Sequence, residues 1–204
     1  MIPVPRNRYF AFFALALLGC LLDLATKSWI FDLLGMPTPG QPNTWWLWQD
    51  MFGFQTSLNQ GALFGIGQGR VTFFCVMSVI AAISIVFWLF VAGAAREWLL
   101  TIACGFICAG ILGNLYDRLG LPGLIWNYAN PPLHEMGDPV FAVRDWILVM
   151  IGSWPWPTFN LADSMLVVGA GLIIIHVIWF DTPKKNEEAA DSATQDGTIQ
   201  VPAE

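Results

Sequence analysis

The chain has 204 residues, 56% of them hydrophobic and only 12% charged, with eleven Trp and fifteen Phe. Soluble domains run near 45–50% apolar and about 25% charged, so the composition argues against a soluble globular protein and against a disordered chain. The formal charge of −6 leaves no basic face for phosphates and excludes a nucleic-acid partner.

A membrane span needs about 20 apolar residues, and four segments meet that requirement. The first covers residues 9–34 and is interrupted by Asp23, Lys27 and Asp32. Within it, Leu17-Leu18-Gly19-Cys20 follows Arg6 and Arg8 in the manner of a lipid-accepting signal sequence. The apolar run continues past Cys20 with no polar region behind it, so a retained span is expected. Residues 35–70 open with Pro37, Pro39, Gly40 and Pro42 and continue into a stretch rich in Trp, Phe and Thr, which predicts a small β-rich element at the membrane interface. The second span, residues 71–92, carries no charge, and the third covers residues 98–116. Residues 117–160 contain four scattered prolines and the run Trp154-Pro155-Trp156-Pro157. They offer few core residues, and a lid or surface loop followed by an interfacial aromatic stretch is expected. The fourth span, residues 161–180, contains Asp163 and His176. Residues 181–204 hold six acids and two lysines without apolar periodicity, and are expected to form a disordered acidic tail.

The predicted fold is therefore an all-α membrane protein: four transmembrane helices in residues 1–180 with a small β-rich extracytoplasmic element. Arg6 and Arg8, Arg96, and the Lys184-Lys185 pair flank the spans on one side. The positive-inside rule makes that side the cytoplasm, with both termini inside and residues 35–70 and 117–160 outside. Cys20, Cys75, Cys104 and Cys108 all sit in apolar runs, as free thiols packed between helices do. There is no HExxH pattern or Cys/His cluster with ligand spacing, and neither a metal nor a cofactor is expected.

Ionisable residues inside spans are costly and mark function by default. Here the polar residues gather in five patches: Asp23 with Thr26 and Lys27; Asn59 with Gly61, Ala62 and Phe64; Gly113 and Asn114 with Asp117 and Arg118; Arg144 with Asp145; and Asn160 with Ala162, Asp163 and Ser164. The predicted topology brings all five to one depth, the outer membrane surface. The side chains on offer are Asp, Asn, Arg and Lys, with no nucleophile beside a His; His176 lies toward the inner end of its span. Two close carboxylates cannot both ionise cheaply, so such a pair suits acid–base hydrolysis, one taking a proton from water while the other donates. The competing reading is a non-catalytic scaffold or a proton-coupled transporter. Transport requires polar residues through both leaflets, and the inner halves of spans two to four are almost uncharged.

At these patches the sequence resembles lipoprotein signal peptidase, the signal peptidase II family of bacterial membrane aspartic peptidases. The resemblance rests on Asp23 and Lys27, Asn59-x-Gly61-Ala62-x-Phe64, Gly113-Asn114-x-x-Asp117-Arg118, Val143-x-Asp145-Trp146 and Phe159-Asn160-x-Ala162-Asp163-Ser164, in family order. It implies removal of the signal peptide from diacylglyceryl-modified prolipoproteins, before the lipidated Cys, in the bacterial inner membrane. It implies Asp145 and Asp163 as the catalytic pair. It also implies supporting or substrate-binding roles for Asp23, Lys27, Asn59, Gly61, Asn114, Asp117, Arg118, Asn160 and Ala162. Membrane lipids and globomycin-type cyclic peptides are the further implied partners. Asp145 is preferred to Asp117 for the first member of the pair, because Asp117 adjoins Arg118 and an ion-paired carboxylate is held structural. Residues 119–142 are longer than the family leads one to expect. Arg144, if it points inward, would bring a positive charge beside the pair.

Overall fold

The computed structural model describes residues 3–40, 42–61 and 67–180. The expected acidic tail lies outside the described residues, as do Ala62 and Phe64 of the second motif.

Four helices are long and apolar enough to cross a bilayer. The first, α1 (Arg6–Leu34), has 29 residues, about 43 Å at 1.5 Å per residue. It ends at Gly35, whose φ of 76° turns the chain while its N–H bonds Phe31 O. Next, α2 (Val71–Val86) runs on as a π-helical turn over Phe87–Val91, and Gly93 in the left-handed region stops it. A short 3-10 turn leads into α3 (Trp98–Arg118). Thr101 secures that start, its hydroxyl donating to Ala95 O and Glu97 O. The fourth helix, α4, spans Leu161–Phe180. The predicted spans thus stand, with α3 extended by two residues so that Asp117 and Arg118 lie on the helix itself.

Helix α3 is the central one, packed against the other three and far more buried than any of them. The outer surfaces of α1, α2 and α4 expose Phe, Leu, Ile and Val, as lipid-facing helices do. Small residues set the spacing, since membrane helices associate by close packing rather than by hydrophobic expulsion from water. A Cβ on Gly110 would collide with Ala162 O, and one on Gly169 would stand 2.6 Å from Ala103 O. Both neighbours are backbone atoms that cannot swing aside. Gly110→Val is therefore expected to lower stability by about 1–3 kcal/mol, read as the thermal unfolding midpoint in detergent. Gly171→Ala, with nothing within 4 Å of the new methyl, is expected to leave that midpoint unchanged or raise it.

The element beside the helices is one antiparallel sheet of β1 (Thr44–Trp48), β2 (Phe52–Asn59), β3 (Val143–Ile151) and β4 (Trp154–Pro155), in that spatial order. Two of its strands come from residues 117–160, where a coreless lid or surface loop was expected. Two physical facts overturn that expectation. The apolar run of β3 pairs along the length of β2, and its first four residues are buried. Upstream, Trp126, Val140 and Ala142 form a small buried cluster of their own, with the His134 ring stacked 3.6 Å from Trp126. Trp45, Trp48 and Trp154 remain exposed on the sheet, where aromatic rings suit a membrane interface.

Candidate active site

Below the sheet, charges meet in a cluster buried to within a few per cent. Asp23 and Lys27 are one turn apart on α1, and Lys27 Nζ lies 2.7 Å from Asp23 Oδ2 and 3.0 Å from Asp117 Oδ2. Arg144 completes the set: its Nε donates to Asp117 Oδ1 at 2.9 Å, Nη2 lies 2.9 Å from the same atom, and its backbone N–H donates to Oδ2 at 3.0 Å. Two cations and two anions sum to zero, the condition under which buried charges are tolerable in a low-dielectric interior.

This geometry corrects one expectation and decides the direction of Arg144. Asp117 is paired with Lys27 and Arg144, not with its neighbour Arg118, whose Nη2 instead donates to Gly61 O at 3.0 Å. Consecutive residues on a helix point about 100° apart, so Asp117 and Arg118 address different surroundings. Arg144 also does not point at the proposed pair. Successive strand residues alternate between faces, so Arg144 turns toward α1 and α3 while Asp145 turns the other way.

That other face forms a cleft of about 670 Å³ lined by Asp145 and Asp163, with Asn59, Asn114, Trp156 and Leu166 among its walls. Asn160 and Asn114 tie the two acids together, and Asn59 adds a bond to Asp145. Asn160 Nδ2 donates to Asp145 Oδ1 at 2.6 Å and to Asn114 Oδ1 at 3.2 Å. Asn114 Nδ2 donates to Asp163 Oδ1 at 2.8 Å, while Asn114 Oδ1 also accepts Lys27 Nζ at 3.0 Å. Asn59 hydrogen-bonds the Asp145 carboxyl, with its own Oδ1 held by Gly61 N–H at 2.9 Å. A bulge in β2 makes this last contact possible. Between Phe54 and Ser57 the register gains one residue, after which Ser57 faces Asp145 and Asn59 faces Val143, so Asn59 and Asp145 share one side of the sheet.

The start of α4 fixes Asp163. Asn160 precedes the helix, its Oδ1 accepting Asp163 N–H at 3.0 Å, and the Asp163 carboxylate accepts Asn160 N–H at 3.2 Å. This is a reciprocal capping box, the device that satisfies orphan N–H groups at a helix start. A third N–H, that of Ala162, donates to Asp23 Oδ1 at 2.9 Å. The alanine side chain is fully buried between α3 and α4, and Gly113 has no Cβ because one would meet both Asp23 and Ala162. The motif residues thus interlock α1, α3 and α4 under one cleft.

Asp145 is 2% exposed, and burial first, then the neighbouring Asp163 charge, push its pKa up to about 8. Hydrogen bonds from Asn160 and Asn59 and the Lys27 charge oppose the rise without cancelling it. A carboxyl in this state holds a proton at neutral pH, as a proton donor must.

Every described sequence-predicted site residue falls in this assembly. Of the histidines, His176 lies far along α4 and His134 belongs to the cluster with Trp126. Sequence reasoning did not single out Ser28, which accepts from Arg144 Nη1 at 3.2 Å, or Ser57 and Leu166 in the cleft wall, and it read Trp156 only as part of an interfacial aromatic stretch. Ser57 was legible in principle, two residues before Asn59 on a strand.

The family model described as signal peptidase (SPase) II matches residues 15–179. The chain belongs to the signal peptidase II family. It is 45% identical over 172 residues to the lipoprotein signal peptidase of Rhodopirellula baltica, covering 84% of this chain and 73% of that one. It is 33% identical over 160 residues to the lipoprotein signal peptidase of Serratia proteamaculans, covering 76% and 78%. Two solved structures described as a bacterial membrane enzyme superpose with TM-scores of 0.67 and 0.61 at 26% and 27% identity, covering 85% and 83% of this chain and 90% and 93% of theirs. As a member of this family with four apolar helices, it is an aspartic-type peptidase and a multi-pass protein of the inner membrane.

Proposed function

We propose that this member of the signal peptidase II family removes signal peptides from diacylglyceryl-modified prolipoproteins, cutting before the lipidated Cys, with Asp145 and Asp163 as its catalytic pair. The observation that carries the reading is Asn160, which bonds both acids at once in one cleft, together with the raised pKa of Asp145. Asp163 takes a proton from a water held between the acids, and the resulting hydroxide oxygen attacks the scissile carbonyl carbon. Asp145 gives its proton to the carbonyl oxygen, forming a gem-diol. Collapse breaks the C–N bond, the leaving nitrogen takes the proton from Asp163, and Asp145 recovers its own. The products are a signal peptide with a free carboxyl and a lipidated Cys with a free amine.

The remaining residues fall into supporting places. Asn59, Asn114 and Asn160 orient the acids. Asp23, Lys27, Asp117, Gly61, Arg118 and Ala162 hold the helices, sheet and loop around them. The cleft joins this polar floor to Leu166 and Val167 on α4, and Val167 is exposed on the lipid-facing side. That junction suits a substrate whose peptide is polar and whose acyl chains stay in lipid. Residues 1–180 form the peptidase domain, with both termini cytoplasmic and the cleft at the outer leaflet. Globomycin-type cyclic peptides occupy the same cleft, so such a compound is expected to raise the thermal unfolding midpoint.

The pH dependence follows in sign. Donation requires protonated Asp145, so kcat on a lipidated precursor is expected to fall as pH rises through about 8. Cleavage unchanged from pH 7 to 10 by the wild-type protein contradicts Asp145 as donor.

A further inference from the structure

A second cavity, of about 510 Å³, lies beyond Arg118, and neither Asp145 nor Asp163 lines it. Its walls come from Arg118 on α3, from the start of α2 with Gln60 and Gly69 ahead of it, and from the long segment between α3 and β3. Trp126, Leu133 and Val71 give it apolar surface, while Thr72, Arg118 and His134 bring polar groups. Asp138 also lines it, its Oδ2 accepting Glu135 N–H at 2.7 Å and its negative charge standing against the positive charge of Arg118.

Two independent features point to an anion. The first is the helix start. The first helical bond of α2 runs from Phe74 N–H to Arg70 O at 3.2 Å, so the N–H groups of Val71, Thr72 and Phe73 have no acceptor within the helix. Such a terminus carries partial positive charge and is a ready anion site. The second is a pair of buried nitrogens without partners, one of them a guanidinium donor. His134 is 6% exposed, and its Nδ1, like Arg118 Nε, is buried without a hydrogen-bond partner among the described residues. Buried polar atoms of this kind are rare and call for a ligand or water. The imidazole is also held in place by stacking on Trp126.

We propose that this cavity binds a phosphate group, with the phosphodiester of an anionic phospholipid headgroup as its ligand. The site stands at the outer end of α2, whose exposed Phe73 and Val76 continue from it into the span, where acyl chains would run. The long segment between α3 and β3 thereby gains a task, walling a lipid-headgroup site beside the active-site cleft, with Arg118 common to both.

The test uses the full chain in detergent and titrates dihexanoyl-phosphatidylglycerol, dihexanoylglycerol and inorganic phosphate, with calorimetry as the readout. It needs no peptidase substrate, so it is independent of the catalytic reading. Saturable phosphatidylglycerol binding is expected, weakened about ten-fold or more in both Thr72→Val and His134→Phe, with no comparable binding of dihexanoylglycerol. His134→Phe keeps a ring to stack on Trp126, and exposed Thr72 can lose its hydroxyl without disturbing a core, so Thr72→Val decides if the other variant folds poorly. Competition by inorganic phosphate supports a site for which phosphate alone suffices; failure to compete supports recognition of the whole lipid. No saturable binding, equal affinity for dihexanoylglycerol, or wild-type affinity in the folded variants overturns the proposal.

Discussion

Asp145→Asn and Asp163→Asn are each expected to reduce cleavage of a lipidated precursor by about 10³-fold or more, within the range for loss of a general acid or base and toward its upper end because the two act as a unit, while both proteins stay folded. Asparagine keeps the shape of either side chain. At position 145 it can still accept the Asn160 amide, now 2.6 Å away, but it has no carboxyl proton to give. At position 163 it can still accept from Asn114, now at 2.8 Å, but it cannot take a proton from water. The two variants should differ in stability. The pKa of Asp145, raised from 3.8 to about 8, means that folding must keep its proton on, a demand that weakens the fold increasingly as pH rises from about 4 to about 8 and then levels off. Asp145→Asn removes that demand and is expected to gain stability relative to wild type over that window. Asp163→Asn places an amide opposite the Asn160 N–H and is expected to unfold at a slightly lower temperature. Full cleavage by either folded variant removes that residue from the catalytic pair.

Asp117→Asn is expected to act on the fold instead, lowering stability by about 3–5 kcal/mol, the usual penalty for leaving a buried charge without its partner. Asp117 is fully buried and meets both Lys27 and Arg144. Lys27 keeps Asp23, but Arg144 loses its anion and is left with neutral acceptors, the Ser28 hydroxyl among them. The measurement is chemical or thermal unfolding in detergent, with folded yield beside it. The double variant Asp117→Leu with Arg144→Met removes the orphaned charge and is expected to recover most of the loss. Wild-type stability of Asp117→Asn, or no recovery in the double variant, contradicts the pairing. Because Arg144 adjoins Asp145 on β3, this ion pair also sets which face of the strand looks into the cleft.

The four spans were legible because length and continuous apolar composition decide a membrane helix almost alone. The convergence of the polar patches was legible for a related reason: alternating helices of fixed length bring the ends of every second connection to one surface. What the sequence concealed was sheet pairing. The run from Val143 to Ile151 looks like surface chain until β2 lies beside it, 84 residues away in register from Asn59 to Val143. Side-chain direction was hidden for the same reason. Asp117 beside Arg118 reads as an ion pair in a linear string, yet the helix sends one to Lys27 and the other to Gly61 O. The bulge between Phe54 and Ser57, which lets Asn59 reach Asp145, leaves no composition signal at all. The capping box of Asn160 and Asp163 was open to a reader of helix starts, since an N-cap Asn with an acid three residues on is its ordinary pattern.

The coupling of two acids through one proton can be observed in the infrared, in the carbonyl stretch of a protonated carboxyl, followed by difference spectroscopy across pH. The account predicts a band that is present at neutral pH, disappears near pH 8, is absent from Asp145→Asn, and titrates at lower pH in Asp163→Asn because the neighbouring negative charge is gone. A wild-type protein with no such band, or a band indifferent to the loss of the Asp163 charge, contradicts the shared proton on which the proposed hydrolysis rests.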